Sequence, residues 1–419
     1  MNNTTFLEKL LDLSADQARG AEACLSGRQV EWVALGEVAE IKRGTSITKN
    51  KVTPGDIPVI AGGRKPAYFH NTSNRNGQTI VISGSGAYAG FVSFWEQPVF
   101  VSDAFTVKPY HELLTRYCYH WLQGMQQKLH EMQSGGGIPH VYPRDIAPLK
   151  IPIPCPDNPE ESLAIQAEIV RILDTFTELT AELTAELTAR TKQYNYYRDQ
   201  LLTFEDGEAC LSGRQVEWKT LGEVLTDKFW IMPATPKFDE TEEVPYITSK
   251  NIRGGNIDFN KVKFISRKDF QNLSRNRPIL AGDFLISMIG TIGEVARVKE
   301  DDLDFYGQNM YLIRLNPNLI LSGYFLHFFD SPKMKRHFNG VKNNSGQGYL
   351  KANNIENIRV PIPPLAEQAR IVAILDKFDT LTHSISEGLP REIELRQKQY
   401  EYYRDLLLNF PKTQTKGVA

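Results

Sequence analysis

Eleven residues, EACLSGRQVEW, occur twice in this chain of 419, at Glu22–Trp32 and again at Glu208–Trp218. Chance does not produce that, so the polypeptide restarts part-way along and must fold as one plan used twice. Each copy runs on into LGEV, at Leu35–Val38 and Leu221–Val224. At the far end of each copy, IPIP (Ile151–Pro154) answers VPIP (Val360–Pro363). Alternating prolines force an extended edge segment there, leading into a helix start. After it, EIVRILDTFTELT (Glu168–Thr180) matches RIVAILDKFDTLT (Arg370–Thr382), and KQYNYYRDQLLTF (Lys192–Phe204) matches KQYEYYRDLLLNF (Lys398–Phe410).

These tails read as helices. In the first, Ile165, Ile169, Ile172, Phe176, Leu179 and Leu183 recur in steps of four and three, the seam of a helix packed on a partner helix. The seam resumes at Leu187, Tyr194, Tyr197 and Leu201 after a stutter that locally unwinds a supercoil without ending the helix. Helix pairing is assigned to these residues and to Ile371, Leu375, Phe378, Tyr400, Tyr403 and Leu407 of the second tail. The tyrosines lie at helical spacing and suit packing better than base stacking. No Pro or Gly interrupts residues 160–204, a span of about 65 Å as a helix. Within it the unit TAEL occurs in tandem (Thr180–Leu187), either as low-complexity helical filler or as a length gauge. Each unit lengthens the rod by about 6 Å and turns it by about 40°. In the second tail Gly388 and Pro390 predict a joint, with a new helix from about Arg391. Joining the chain ends gives a nearly two-fold repeat around a closed ring, with two helices paired antiparallel.

Between the helices lie two related but unlike globular parts. TIVISGSGAYAG (Thr79–Gly90) answers FLISMIGTIG (Phe284–Gly293), each a buried strand, a serine and a Gly-rich turn, and SDAFTVKP from Ser102 answers GQNMYLIRLNP from Gly307. With 41% hydrophobic and 23% charged residues the composition is that of a globular protein. The longest apolar runs are strand-sized and the N-terminus lacks a signal-peptide pattern, so a cytoplasmic location is expected. Four scattered cysteines suggest neither a disulfide framework nor a zinc site. The net charge of -2 argues against a non-specific nucleic-acid coat, yet residues 42–75 hold seven basic side chains against one acidic, and residues 250–277 eight against two.

No catalytic constellation emerges. A DNA amino-methyltransferase needs an [N/D]-P-P-[Y/F] turn and a Gly-rich cofactor loop opening a helix, and neither occurs. Gly84–Gly90 is followed by strand residues and reads as a tight turn. There is no G-x-x-x-x-G-K-[ST] and no H-E-x-x-H. No catalytic residue, metal site or cofactor is assigned to the chain itself.

IPIPCPDNPEESLAIQAEIVRILD, the TAEL repeat, KQYNYYRDQLL, LPREIELRQKQYEYYRDLL and the two EW-x-x-LGE starts together resemble the specificity subunit of type I restriction-modification enzymes, closely the class called IC, over the whole chain. One departure is the length of the segment Leu13–Gln29 before the first domain. The resemblance implies an α+β fold: two similar mixed α/β target-recognition domains separated by two long helices packed as an antiparallel coiled coil, a pseudo-two-fold internal repeat. It places an N-terminal helical segment at 1–28, the first recognition domain at 29–154, the central helix at 155–206, the second domain at 207–362 and the C-terminal helices at 363–419. Each domain is expected to read one half of a split, asymmetric site in double-stranded DNA. The helices fix the gap, two TAEL copies implying the shorter one, and dock two modification (methyltransferase) subunits. Restriction (motor-nuclease) subunits complete the complex, and S-adenosylmethionine, ATP and Mg²⁺ are expected on those partners.

Reading bases requires donors and acceptors on loops, with cations beside them for phosphates. The candidates for DNA binding are Arg43, Arg64, Lys65, Ser85 and Tyr88 in the first domain. In the second they are Lys250, Asn251, Arg253, Thr291, Gln308, Asn309, Lys342, Asn343 and Asn344. Two other classes compete: a coiled-coil scaffold pairing two protein-binding domains, and a stand-alone enzyme with an unrecognised nuclease site.

Overall fold

The structure is a computed structural model and describes residues 29–135, 137–205, 216–302, 304–341, 349–384 and 386–410. The N-terminal helical segment expected over 1–28 lies outside them. Five helices matter here: α1 (Thr115–Gly124), α2 (Pro159–Leu201), α3 (Ser322–Phe329), α4 (Leu365–His383) and α5 (Gly388–Leu408). The chain forms two compact units, one holding residues up to Thr184 and from Glu392 onward, the other Ala185–Arg391.

The first unit opens with β1 (Val30–Ala34), β2 (Ala39–Arg43), β3 (Ile57–Ile60), β4 (Tyr68–His70), β5 (Thr79–Ser83), β6 (Val92–Trp95), β7 (Phe100–Val101), β8 (Ala104–Pro109) and β9 (Lys150–Pro154). Prolines at 152 and 154 cannot donate to a ladder, so β9 pairs with β1 alone, in a two-stranded antiparallel ribbon. The order β2-β8-β5-β6 makes an antiparallel sheet, and β4-β3-β7 a smaller one in which β3 and β7 run parallel.

The second unit repeats this with β10 (Glu217–Thr220), β11 (Leu225–Ile231), β12 (Val244–Thr248), β13 (Ile252–Arg253), β14 (Asn256–Ile257), β15 (Lys263–Ile265), β16 (Phe284–Ser287), β17 (Val295–Arg297), β18 (Tyr306–Gln308), β19 (Met310–Leu315) and β20 (Arg359–Ile362). The ribbon is β10-β20, the antiparallel sheet β11-β19-β16-β17, and the mixed sheet β15-β12-β18 with β12 parallel to β18. The hairpin β13-β14 is added.

Asn158 starts α2: its Oδ1 accepts from Glu161 N and its Nδ2 donates to Glu161 Oε2, both at 3.3 Å, with Pro159 in the first turn where a missing N–H costs nothing. The TAEL threonines satisfy their hydroxyls on their own helix, Thr180 to Phe176 O at 2.8 Å and Thr184 to Thr180 O at 2.7 Å. α2 runs unbroken for 43 residues. The second tail is jointed. α4 ends at His383 and α5 begins at Gly388, three residues ahead of the Arg391 start expected from sequence, because Pro390 falls inside the first turn, where helix N–H groups have no partner to lose. Gly388 sits at φ 75°, and a Cβ there would stand 2.4 Å from Thr380 O, so the joint requires glycine.

Ile165, Ile169, Ile172 and Phe176 are buried in the first unit's core together with Leu407 of α5, and Phe176 stacks on Tyr403 (5.2 Å, 18°). In the second unit Ile371 and Leu375 are buried. There Tyr194 meets His383 (5.6 Å) and Phe378 (6.2 Å), and Tyr197 meets Phe378 (5.6 Å). Ascending α2 thus descends α4, the antiparallel sense. Leu183 is buried, and Leu179, Leu187 and Leu201 are half-buried.

Three buried hydrogen-bond sets lock each unit in the same way. Tyr117 donates to Pro152 O at 2.9 Å, as Tyr324 does to Pro361 O at 3.1 Å, tying α1 and α3 to their ribbons. Gln166 accepts from Leu114 N (2.9 Å) and donates to Glu112 O (3.0 Å), and Gln368 accepts from Leu321 N (2.8 Å) and donates to Leu319 O (2.9 Å). His120 lies 2.8 Å from Asp174 through Nε2 and 2.9 Å from the Tyr400 hydroxyl through Nδ1, while His327 lies 2.7 Å from Asp376 and 3.1 Å from Tyr194. Burial holds His120 below its ordinary pKa, so the neutral ring donates to Asp174 and accepts from Tyr400. Against the burial that opposes it, hydrogen bonds from His120 and Arg116 keep Asp174 below the usual carboxylate range. Burial pushes the Tyr400 and Tyr194 hydroxyls up, keeping them as donors. Tyr194 and Tyr400 come from equivalent motifs, and each completes the unit built on the other copy's domain.

Candidate nucleic-acid interface

In both units the frame presents the same set of loops. The turn after β5 and the turn after β16 each carry two glycines in the left-handed region, Gly86 and Gly90 (φ 82° and 86°) and Gly290 and Gly293 (φ 83° and 78°). Gly84–Gly90 is thus the tight turn between β5 and β6. Its neighbours in space are matched too. Gly84 N donates to Asp103 O (3.2 Å) and Val141 N to Gly84 O (3.1 Å); Met288 N donates to Asn309 O (3.3 Å) and Leu350 N to Met288 O (3.0 Å). Bridges Ser85–His140 and Ile289–Tyr349 complete the correspondence.

On the first unit these loops converge. Arg64 lies over the rings of Tyr88 (4.8 Å) and Phe91 (5.4 Å). Gly62 backs onto Ser85, where a Cβ would come within 2.4 Å of Ser85 O. Ser85 donates its hydroxyl to the Asp103 carboxylate. His140 stacks on Tyr142 (5.8 Å, 7°), and the Tyr142 ring carries Arg43 (5.4 Å) and Arg144 (4.8 Å). A cavity of about 200 Å³ opens among Arg43, Gly84, Asp103, His140 and Tyr142. Arg43, Arg64, Ser85 and Tyr88 are thereby linked through one set of contacts, with Lys65 exposed beside Arg64. Arg43, Arg64 and Lys65 make no ion pair with another described residue, leaving their charge available to an anion. Sequence reasoning passed over Asp103, His140, Tyr142 and Arg144. The run HVYPRD, with cation and aromatics interleaved, was the signal for the last three.

On the second unit Lys250 and Arg253 are exposed. Asn251 closes its own loop, accepting from Thr248 N (2.9 Å) and donating to Asp258 O (2.9 Å). Thr291 donates to Ser249 O (2.9 Å), tying that loop to the β16–β17 turn. Gln308 accepts from the Tyr246 hydroxyl at 3.4 Å and from Thr235 at 3.5 Å. Asn309 is one of three non-glycine residues at positive φ (65°) among the described residues, a conformation asparagine tolerates. Lys342, Asn343 and Asn344 lie outside the described residues. Arg277 and Lys263 add cations over Phe229 (5.7 Å) and Phe238 (4.4 Å).

What such surfaces can do is grip phosphates and present hydrogen-bonding groups to base edges. No described helix is long and apolar enough to cross a membrane. The family described as type I restriction modification DNA specificity domain matches residues 28–193 and again 214–395. Among curated proteins, the Type I restriction enzyme EcoR124I/EcoR124II specificity subunit of Escherichia coli is 34% identical, over 99% of this chain and 99% of its own. The putative type I restriction enzyme specificity subunit S.HindORF215P of Haemophilus influenzae is 32% identical, over 98% and 99%. Among solved structures, the type I restriction-modification S subunit from M. genitalium aligns with TM-score 0.57 at 19% identity, over 93% of this chain and 98% of that one. A chain from a study of complex assembly and conformational transition in the type I R-M system aligns with TM-score 0.55 at 16% identity, over 92% and 98%.

Proposed function

This chain belongs to the type I restriction-modification DNA specificity family, as a DNA-recognition subunit that does no chemistry of its own, and we propose that it reads a split, asymmetric duplex site, one half through each unit. The observation that carries this is the repeated strand order with rewritten loops: one frame, two faces. Arg43, Arg64, Lys65, Lys250 and Arg253 would hold phosphates and fix register, while Ser85, Tyr88, Gln308 and Asn309 would serve the reading of base edges. Thr291 and Asn251 would act by holding loops in place. A protein-binding scaffold, the alternative from another class, is disfavoured by the family membership.

The length of α2 sets the gap between the halves in this reading. Its two TAEL units expose Glu182 and Glu186 and turn Leu183 and Leu187 inward. Two modification subunits would bring S-adenosylmethionine and methylate a base in each half, and restriction subunits would bring ATP and Mg²⁺ for translocation and cleavage. The catalytic machinery sits on those partners in this account. Deleting Thr184–Leu187 shortens the helix by about 6 Å and turns it by about 40°. Mapping of modified sites in a host carrying the chain and its modification subunit should then give the same two half-sites with a different gap. An unchanged gap, or altered half-sites, would overturn the gauge.

A further inference from the structure

Strand register makes Asp103 and Asn309 equivalent positions. Ser83 faces Ala104 across β5 and β8, and Ser287 faces Met310 across β16 and β19, so the residue before each inner strand is Asp103 in one unit and Asn309 in the other. The carbonyl oxygens of both accept the equivalent bond, from Gly84 N and Met288 N respectively. Their side chains differ in what they can recognise. Asp103 is exposed, yet it stands among Arg43, His140 and Tyr142 in a loop cluster that carries cations. A carboxylate on a face that meets phosphates is repelled by them, and it is repelled again by the acceptor edges of guanine (O6, N7) and thymine (O4). The exocyclic amino groups of cytosine and adenine are what it can accept from in the major groove. Ser85 fixes it by donating to one carboxylate oxygen, leaving the other for a ligand. Asn309 has no such tether, since Ile289 occupies the place of Ser85, and its amide both donates and accepts, matching adenine N7 and N6.

We propose that Asp103 and Asn309 are paired specificity determinants: Asp103 fixes the identity of one base pair in the half-site of the first unit by accepting from the exocyclic amino group of its cytosine or adenine, and Asn309 selects adenine in the half-site of the second. This rests on the DNA-reading function above. One position of the frame, changed by a single atom type, then makes the site asymmetric.

The test is genome-wide mapping of modified sites in a host carrying the full-length chain with its modification subunit, comparing the parent with Asp103→Asn, Asn309→Asp and Ser85→Ala. If the parent directs no sequence-specific modification, the DNA-reading function itself fails, whatever Asp103 does. Given a parent motif, Asp103→Asn is expected to relax one base position in one half by about ten-fold or more, leaving the gap and the other half unchanged. Whether the relaxed pair is G·C or A·T identifies the amino group, at cytosine N4 or adenine N6. Asn309→Asp should act in the other half. Ser85→Ala, which keeps the carboxylate and frees it, should weaken the preference at a single position of the first half by a smaller factor, and it carries the test should Asp103→Asn fail to fold. An unchanged motif, both variants acting in the same half, or loss of all modification by an Asp103→Asn chain with the parent's unfolding profile would overturn the proposal.

Discussion

The two units keep their buried polar contacts and replace their exposed ones. Tyr117 and Tyr324, Gln166 and Gln368, and His120 and His327 make the same bonds to the same places. At the loops, by contrast, Asp103 corresponds to Asn309, Ser85 to Ile289 and His140 to Tyr349. A buried donor without its acceptor costs the full desolvation penalty, so both copies of a frame are held to one solution, whereas an exposed loop meets only water until a ligand arrives. The frames still differ in one respect. Asp174 is 24% exposed and also receives Arg116 at 2.7 Å, while Asp376 is 61% exposed and Gly323 replaces the arginine. A Cβ at Gly323 would fall 2.9 Å from Val372, so in the second unit α3 packs too close to α4 for any longer side chain.

That difference sets the largest expected effect. Asp174→Ala leaves His120 buried and Arg116 unpaired, a loss on the order of 3 kcal/mol, whereas Asp376→Ala should cost about 1 kcal/mol. Urea unfolding of the two variants checks it, and equal losses would erase the distinction. The symmetric part of the frame makes the opposite forecast. Gln166→Ala and Gln368→Ala each leave a part-buried N–H and carbonyl without their partner, Gln368 also releasing Pro363 O and Gln166 the Ser162 hydroxyl, and should lose about 2 kcal/mol apiece. A difference between them of more than about 1 kcal/mol would mean that the two frames are not equivalent.

The effect of acid is smaller and should separate the units. His120 has a folded pKa below its ordinary value, so the unfolded chain takes up the proton first and stability falls as pH drops below about 6.5. Asp174, depressed in the fold, adds a further loss as pH falls through the carboxylate range. In the second unit the depressed carboxylates are Asp379, held mainly by its hydrogen bond from His383, Glu356, where bonds from Lys228 and Tyr311 outweigh burial, and Glu223 and Asp239, held by bonds from Thr220 and Thr241. Their loss too comes only in the carboxylate range. Hydrogen exchange between pH 7 and 5 should therefore show α1 opening before α3; the reverse order would contradict the role given to His120.

The duplicated segments and the helical tails were legible from identity and periodicity alone, because both survive in one dimension. The locks were not. Nothing in YCYHWLQ or GYFLHFF says that its histidine joins an aspartate of the following helix and a tyrosine from the other copy's tail, since those partners lie 54 and 280 residues away for His120. Loop amides were ambiguous for a different reason: Asn251 and Asn309 are the same chemistry in sequence, and only geometry separates the one that closes a turn from the one whose amide is unpaired in its loop. Asp103 was missed because a search for cations and amides passes over a carboxylate. The joint at Gly388 was visible, its position less so, since a proline two residues into a helix reads like a break.

Mapping the bases modified under the direction of the unaltered chain tests the central claim most directly. One frame bearing two different faces predicts a motif of two unlike halves separated by a fixed run of unread positions. A palindromic motif, a continuous one, or modification without sequence preference would contradict it.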